Sequence, residues 1–330
     1  MTIRISIALA TYNGEKYLVE QLRSFCNQTR MPDELIICDD CSQDSTLSIA
    51  YDFAAKAPFT VKIIVNQRNL GYVQNFSNAF SYCNGDIVFI SDQDDVWLPT
   101  KIEKMSQYLD LNPHIQLVIH DLDYCKEDLR PIGQTKIQRM ENNFDLNWYY
   151  VVGMATAIRN PFLKLCMPVP NSGLITHDMW LHHCSHSINR KAIITDVLAL
   201  YRRHQSNVTI EGKLNVDFVT TASYFKTTLY KKIKNVNNLK IILKELLDQS
   251  LIQWLVDKRD LLIENNYVSS VELEIVIEHY KNYFDSIKQR CLILSLKRRQ
   301  RFFPIIYHYR KGGYDYFDGL RTAFGDFLPK

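Results

Sequence analysis

The sequence predicts an α/β fold: a wound, mostly parallel sheet followed by a helical C-terminal region. Three observations carry that prediction. From residue 1 to about 205, short apolar runs alternate with amphipathic stretches of helical length, the pattern of strands joined by single crossover helices. The run Ile87-Val88-Phe89-Ile90 is apolar without alternation, as a strand covered on both faces must be. From residue 211 onward the apolar period becomes that of long helices.

Taken in order, Ile3 to Ala10 reads as the first strand, and Asn13-Gly14 turns the chain into a helix over Tyr17 to Cys26. Glu34 to Asp39 is a second strand, after which Asp44 caps a helix running through Ala55. Val61 to Val65 is a third strand, followed by Asn69-Leu70-Gly71 and a helix over Val73 to Cys83. The fourth strand is the Ile87 run, and Pro99 suits the first turn of a helix that reaches Leu111. A strand is expected near Leu117 to Leu122, an irregular polar stretch over 125–145, and a strand from Val151 to Ile158. Pro161 starts a short helix, another begins near His177-Asp178, and Ala192 to Tyr201 is the last strand. These features set a domain boundary at residues 1–210 and 211–330.

The second part repeats helical spacing twice. Leu239, Ile242, Leu243, Leu246, Leu247, Ile252 and Leu255 form one stripe; Leu273, Ile277, Tyr280, Phe284 and Ile287 form another within Val271 to Leu296.

With 330 residues and 46% apolar content, the chain can bury a sizeable core. A net charge of +3 gives no sign of a nucleic-acid binder, but the charge is uneven. Residues 211–330 hold 20 Lys and Arg against 14 Asp and Glu, whereas residues 1–210 hold 19 against 22. Eight scattered cysteines without framework spacing suit a reduced, cytoplasmic protein. Cys38-Asp39-Asp40-Cys41 has no second pair, so neither redox nor zinc chemistry is expected there. His177, His182, His183 and His186 lack zinc-helix spacing and are expected to be mostly surface residues. The opening MTIRISIALATYNG becomes polar too soon for a signal peptide, and no apolar run approaches the ~18 residues of a membrane span.

The chemistry concentrates where strands end. After Ser91, Asp92, Asp94 and Asp95 arrive within four residues, at the strand end where open α/β sheets place ligands. Carboxylates this close repel one another unless a cation lies between them. A hard divalent ion, Mn²⁺ or Mg²⁺, with phosphates completing its shell, is the natural occupant. An isolated Asp-x-Asp is more simply a solvated acidic loop, but this one has company. Thr11-Tyr12-Asn13-Gly14 ends the first strand, Asp39-Asp40-Cys41-Ser42 ends the second, and Asn69-Leu70-Gly71 follows the third. Far downstream, Thr176-His177-Asp178 precedes Met179-Trp180-Leu181 at a helix start, where Asp178 alone would be read as an N-terminal cap.

Together these motifs resemble the family 2 glycosyltransferases, inverting enzymes of the GT-A fold. The resemblance rests on IALATYNGEKYLVEQLRSFCNQT, ELIICDDCSQDST, NLGYVQNF, GDIVFISDQDDVWLP, VVGMATAI, ITHDMWL and LALYRRHQSNV, and covers about two thirds of the chain. It implies that Asp92 and Asp94 bind the divalent ion bridging the donor diphosphate, Asp94 the more directly and Asp92 also toward the nucleotide. Thr11, Tyr12 and Asp40 match positions around the nucleobase, Asp178 matches the general base, and His204 a further metal or diphosphate contact. Two departures stand out: His177 replaces the commoner Glu before the base, and Cys41 replaces a turn glycine. The implied function is transfer of a sugar from a nucleoside-diphosphate donor to a saccharide acceptor, lipid-linked in surface polysaccharide synthesis. The HDMWL and YRRHQSN pieces are most similar to bacterial surface-polysaccharide enzymes, rhamnosyltransferases among them, which leans the donor toward dTDP-rhamnose or a UDP-sugar.

Rival readings lack their marks. A sugar nucleotidyltransferase would need a Gly- and Arg-rich signature where TYNGEKY stands, and a dinucleotide oxidoreductase would need GxGxxG there. A non-catalytic nucleotide-sugar binder of the same fold is the alternative from another class. For residues 211–330 two roles are open: a helical cap that completes the core and forms a homodimer, and an interfacial segment on anionic membrane. The basic and aromatic stretch Lys297 to Lys311 suits the second, and would place the protein peripherally on the cytoplasmic membrane.

Overall fold

In the computed structural model, residues 3–140, 150–204, 237–317 and 319–327 are described, with backbone alone for 237–246. Two compact units divide the chain: Met1–Val169 with Thr176–Val219, and Pro170–Ile175 with Thr220–Lys330.

The first unit opens with β1 (Ile5–Thr11), α1 (Leu18–Cys26), β2 (Glu34–Asp39), α2 (Thr46–Ala54), β3 (Thr60–Val65), α3 (Tyr72–Tyr82) and β4 (Ile87–Ser91). It continues with β5 (Val96–Trp97), α4 (Lys101–Leu111), β6 (Leu117–Cys125), β7 (Pro131–Thr135) and α5 (Lys136–Met140). A 3₁₀ turn, Gly153–Ala155, then leads to β8 (Thr156–Arg159), α6 (Asn160–Cys166), α7 (His177–Ser187) and β9 (Lys191–Arg202).

All strands join one sheet in the order β3-β2-β1-β4-β8-β6-β9-β5, with β7 on the side of β6. The pairings β3–β2, β2–β1, β1–β4 and β6–β9 are parallel. Strand β8 runs antiparallel to both β4 and β6 and separates the two parallel groups. Every residue of β2 and β4 is buried, as their unbroken apolar runs require. The core gathers Ile5, Ile7, Leu9, Leu22, Phe25, Phe89 and Trp97 under the sheet. Register sets Thr11 beside Asp39 and Leu9 beside Ser91, so β1, β2 and β4 deliver their carboxyl ends to one place.

Three expectations change. Of Val151 to Ile158 only the last three residues are strand: Gly153–Ala155 forms a 3₁₀ turn packed so close to α7 that a Cβ on Gly153 would stand 3.2 Å from His177 Nε2. Within 125–145, strand β7 and helix α5 form, anchored by Asp121 Oδ1 accepting the Ile137 amide at 3.0 Å; residues 141–149 lie outside the described residues. His177, His182 and His183 are buried rather than on the surface, because α7 is covered on nearly every side. Thr156 bonds His182 at 2.8 Å, and burial lowers the pKa of both His177 and His182, which stay neutral.

The second unit contains α8 (Asn237–Asp257), α9 (Arg259–Glu264), α10 (Ser270–Ser295), α11 (Phe302–Arg310) and α12 (Leu320–Phe327). Residues 211–236 fall outside the described residues. Ser269 and Glu272 form a capping box at the start of α10. Ile293, Ile305, Tyr314 and Ala323 make a small core, and Arg290 grips Asp326 with two bonds of 2.6 and 2.9 Å. Among the described residues, no helix is long and apolar enough to cross a membrane.

Candidate active site

The carboxyl ends of β1 and β2 are tied by side chains. Thr11 Oγ1 donates to Asp39 Oδ1 at 2.9 Å, and the same carboxylate accepts the Ser42 amide and hydroxyl. Cys41 sits at φ +64°, a conformation that glycine adopts freely and cysteine only under constraint. Asp40 faces inward, 2% exposed. Its carboxylate accepts Asn66 Nδ2 at 2.8 Å and the amides of Leu70 and Gly71 at 2.7 and 2.9 Å. Asn66 also donates to Asn75 at 2.9 Å and accepts from Asn78 at 2.7 Å, and Asn75 donates to the Cys38 carbonyl at 2.9 Å. Asp40 therefore shapes the loop after β3 and the start of α3, and with it the position of Tyr72. Tyr12, by contrast, is 47% exposed at the mouth of the site.

The acidic loop follows β4. Burial raises the Asp92 pKa to about 8, reinforced by the charges of Asp94 and Asp178. Asp94 Oδ2 lies 2.7 Å from His204 Nε2, and the His204 ring packs 4.6 Å from that of Tyr17. Asp95 is buried; its Oδ1 accepts the Arg202 amide at 3.0 Å, and burial pushes its carboxyl well up. The buried Lys101 side-chain nitrogen lies 3.6 Å from the centre of the Trp97 ring and donates to the Met154 carbonyl; burial lowers its pKa well below the usual value, against the opposing pull of Asp95 and Asp92. Strand β5, which the sequence pattern did not announce, hydrogen-bonds to β9 immediately after the loop and so fixes its exit.

Arg202 clamps the other side. Its guanidinium donates to the Asp94 carbonyl at 2.8 Å and also reaches the Glu127 carbonyl and the Glu20 carboxylate. Beside it opens a cleft of about 650 Å³, lined by Lys16, Tyr17, Glu20, Glu127, Arg130 and Arg202.

Asp178 comes from the first turn of α7. Thr176 caps that helix, its hydroxyl accepting the Met179 amide at 3.3 Å, while Asp178 Oδ1 takes the same amide at 2.8 Å and the Thr176 hydroxyl. The Gly153 turn lies against this helix start: a Cβ there would stand 3.6 Å from Asp178 Cβ and 3.7 Å from Ile90 Cγ2. Asp178 thus stands at the carboxyl end of β4, and its charge is felt by both Asp92 and Tyr72. Behind it the His177 ring stacks on Phe76 at 4.0 Å.

Asp92, Asp94, Asp178 and His204 are thereby brought to one region, with Thr11 and Asp40 in the wall beside it. Three participants were not singled out from sequence: Lys101, Tyr72 and Arg202. Tyr72 and Arg202 lie inside motifs already recognised, NLGYVQNF and YRRHQSNV, which was the available signal.

Residues 6–167 match the family model described as Glycosyl transferase family 2. An uncharacterised protein of Mycobacterium tuberculosis is 28% identical over 216 residues, 62% of this chain and 60% of its own length. The chain therefore spans less than two thirds of that relative. The dTDP-rhamnosyl transferase RfbG of Shigella flexneri is 28% identical over 211 residues, 60% of this chain and 72% of that protein. Among solved structures, S. aureus TarS 1-349 in complex with UDP superposes with a TM-score of 0.54 at 18% identity, covering 97% of this chain and 90% of the other. Mannosyltransferase PcManGT from Pyrobaculum calidifontis, in complex with GDP-Man and Mn²⁺, gives 0.50 at 14% identity over 85% and 86%. At such identities the likeness shows the fold. The chain carries a glycosyl transferase family 2 domain of the GT-A fold.

Proposed function

We propose that this chain is an inverting glycosyltransferase, moving a sugar from a nucleoside-diphosphate donor to a hydroxyl of a saccharide acceptor. The observation that carries this reading is the convergence of Asp92, Asp94 and Asp178 at the end of β4 within a family 2 domain. Asp178 acts as general base. Its Oδ1 is held by Met179 and Thr176, which aims the carboxylate so that the other oxygen takes the acceptor proton as the hydroxyl attacks the anomeric carbon. The nucleoside diphosphate leaves from the opposite face, so one displacement inverts the centre. Tyr12 borders the nucleobase, with Thr11 and Asp40 supporting the wall behind it.

The donor set suits a divalent cation. Asp94 and His204 offer oxygen and imidazole nitrogen, and the buried Asp92 gains its charge more easily beside a cation. Among the described residues, no three His, Cys, Asp or Glu side chains form a complete cage, so the diphosphate oxygens would complete the shell. When bound, Mn²⁺ or Mg²⁺ supplies Lewis-acid stabilisation of the charge growing on the leaving group. Likeness to RfbG favours dTDP-rhamnose as donor, and likeness to TarS a UDP-sugar.

A thermal-shift panel of UDP, dTDP, GDP and CMP, each with and without Mn²⁺, tests the reading. One nucleoside diphosphate is expected to raise Tm in a metal-dependent manner. No shift with any of them sinks the proposal.

We further propose a lipid-linked acceptor, reached from the surface of an anionic membrane. Helix α11 presents Phe303 and Tyr307 one turn apart, 79% and 67% exposed, with Arg310 and Lys311 beyond them. Residues 297–311 carry six Lys and Arg and not one Asp or Glu. Vesicles containing phosphatidylglycerol are expected to sediment the protein at low salt, and Phe303→Ser/Tyr307→Ser to abolish this. Equal sedimentation of that variant removes α11 as the membrane contact.

A further inference from the structure

Gln93 stands between Asp92 and Asp94, yet its side chain turns away from both toward β1. Its amide makes a two-point pair with one residue. Oε1 accepts the Tyr12 amide at 2.9 Å, and Nε2 donates to the Tyr12 carbonyl at 3.0 Å. This reproduces with a side chain the reciprocal bonding of two backbone strands. The main-chain pairing of β1 with β4 ends at Leu9 and Ser91, so beyond that point Gln93 holds the two loops together.

Gly14 supplies the space. A Cβ there would lie 2.2 Å from Gln93 Oε1 and 2.5 Å from its Cδ, so an alanine and the clasped amide cannot coexist. No left-handed φ is imposed on Gly14, so its backbone would accept a side chain. The glycine is required there by the neighbouring amide.

We infer that Gln93 is a positioning residue for donor recognition, locking Tyr12 at the nucleobase side to the carboxylates at the diphosphate side. This rests on the transferase reading above. The clasp is made to main chain: the amide bonds the Tyr12 N–H and carbonyl and leaves the phenol ring at the mouth of the site. With the clasp intact, the two halves of the donor site keep their spacing before the donor arrives, and less ordering is left for binding. Without it, the Tyr12 loop keeps its bonds to Ser42 and Thr46 but loses its tie to the acidic loop, and that spacing must be set at each binding event. Two hydrogen bonds in the lower half of their ordinary net range correspond to about tenfold in affinity.

The test is a double-mutant cycle with Gln93→Ala and Gly14→Ala, reading the Kd of UDP, dTDP and GDP in Mn²⁺ by titration calorimetry, and KM and kcat for donor turnover. Each single variant is expected to weaken nucleotide binding and raise KM about tenfold, with kcat within about twofold. The double variant is expected to match Gln93→Ala alone, because alanine at 14 has nothing left to displace. Urea midpoints of the four proteins separate a loss of positioning from a loss of fold, since a merely structural glutamine would lower stability and kcat together. If wild type binds none of the nucleotides, the transferase reading falls first. If wild type binds and Gln93→Ala binds as tightly, only the clasp is overturned, as it is if the Gly14→Ala and Gln93→Ala effects simply add.

Discussion

Asp178→Asn is expected to lower turnover by about 10²–10⁴ while leaving the metal-dependent thermal shift with nucleoside diphosphate unchanged. The amide keeps the size of the carboxylate, and its oxygen can still accept the Met179 amide, so the start of α7 should hold its shape. Thr176 continues to cap the same helix. What the variant loses is the capacity to accept a proton from the attacking hydroxyl. Release of nucleoside diphosphate from the donor is the measurement, made beside calorimetric binding of the same nucleotide. Unchanged turnover would remove Asp178 as base, whereas nucleotide binding with no turnover in wild type would favour a protein that only binds its ligand.

Asp94→Asn should act on the other half of the reaction. It keeps the hydrogen-bond partner of His204 but removes a charge that a cation needs. The Mn²⁺-dependent part of the nucleotide thermal shift is expected to vanish, as it does on adding EDTA to wild type. A ligand at a hundred times its Kd contributes about 2.7 kcal/mol of stability, so the loss is easily read. Lewis-acid help is worth several kcal/mol at the transition state, so kcat/KM should fall by about 10² or more. A surviving metal-dependent shift in Asp94→Asn would assign the cation to other residues.

The order of the strands was legible because each buried strand leaves an unbroken or alternating apolar run, and Glu34 to Asp39 matches β2 residue for residue. The acidic loop was legible because three carboxylates at a strand end are conspicuous. Features made by long-range contact were not. Strand β5 is two residues long and exists only because β9 lies beside it. Arg202 earns its place through Asp94 and Glu127, 108 and 75 residues away. The histidines of α7 lack metal-site spacing and were expected on the surface, but the helix packs on nearly all sides and buries His177, His182 and His183, and burial lowers the pKa of His177 and His182. Gln93 could not be singled out because its partner is backbone, which leaves no trace in residue identity.

The asparagine network behind the nucleotide wall has a consequence for motion. Asp40, Asn66, Asn75 and Asn78 share donors and acceptors, so no member can swing out without leaving a buried partner unsatisfied. The ends of β1, β2 and β3 and the first turns of α3 should therefore open in hydrogen exchange as one cooperative unit, with amides 66 to 78 exchanging together rather than fraying one at a time.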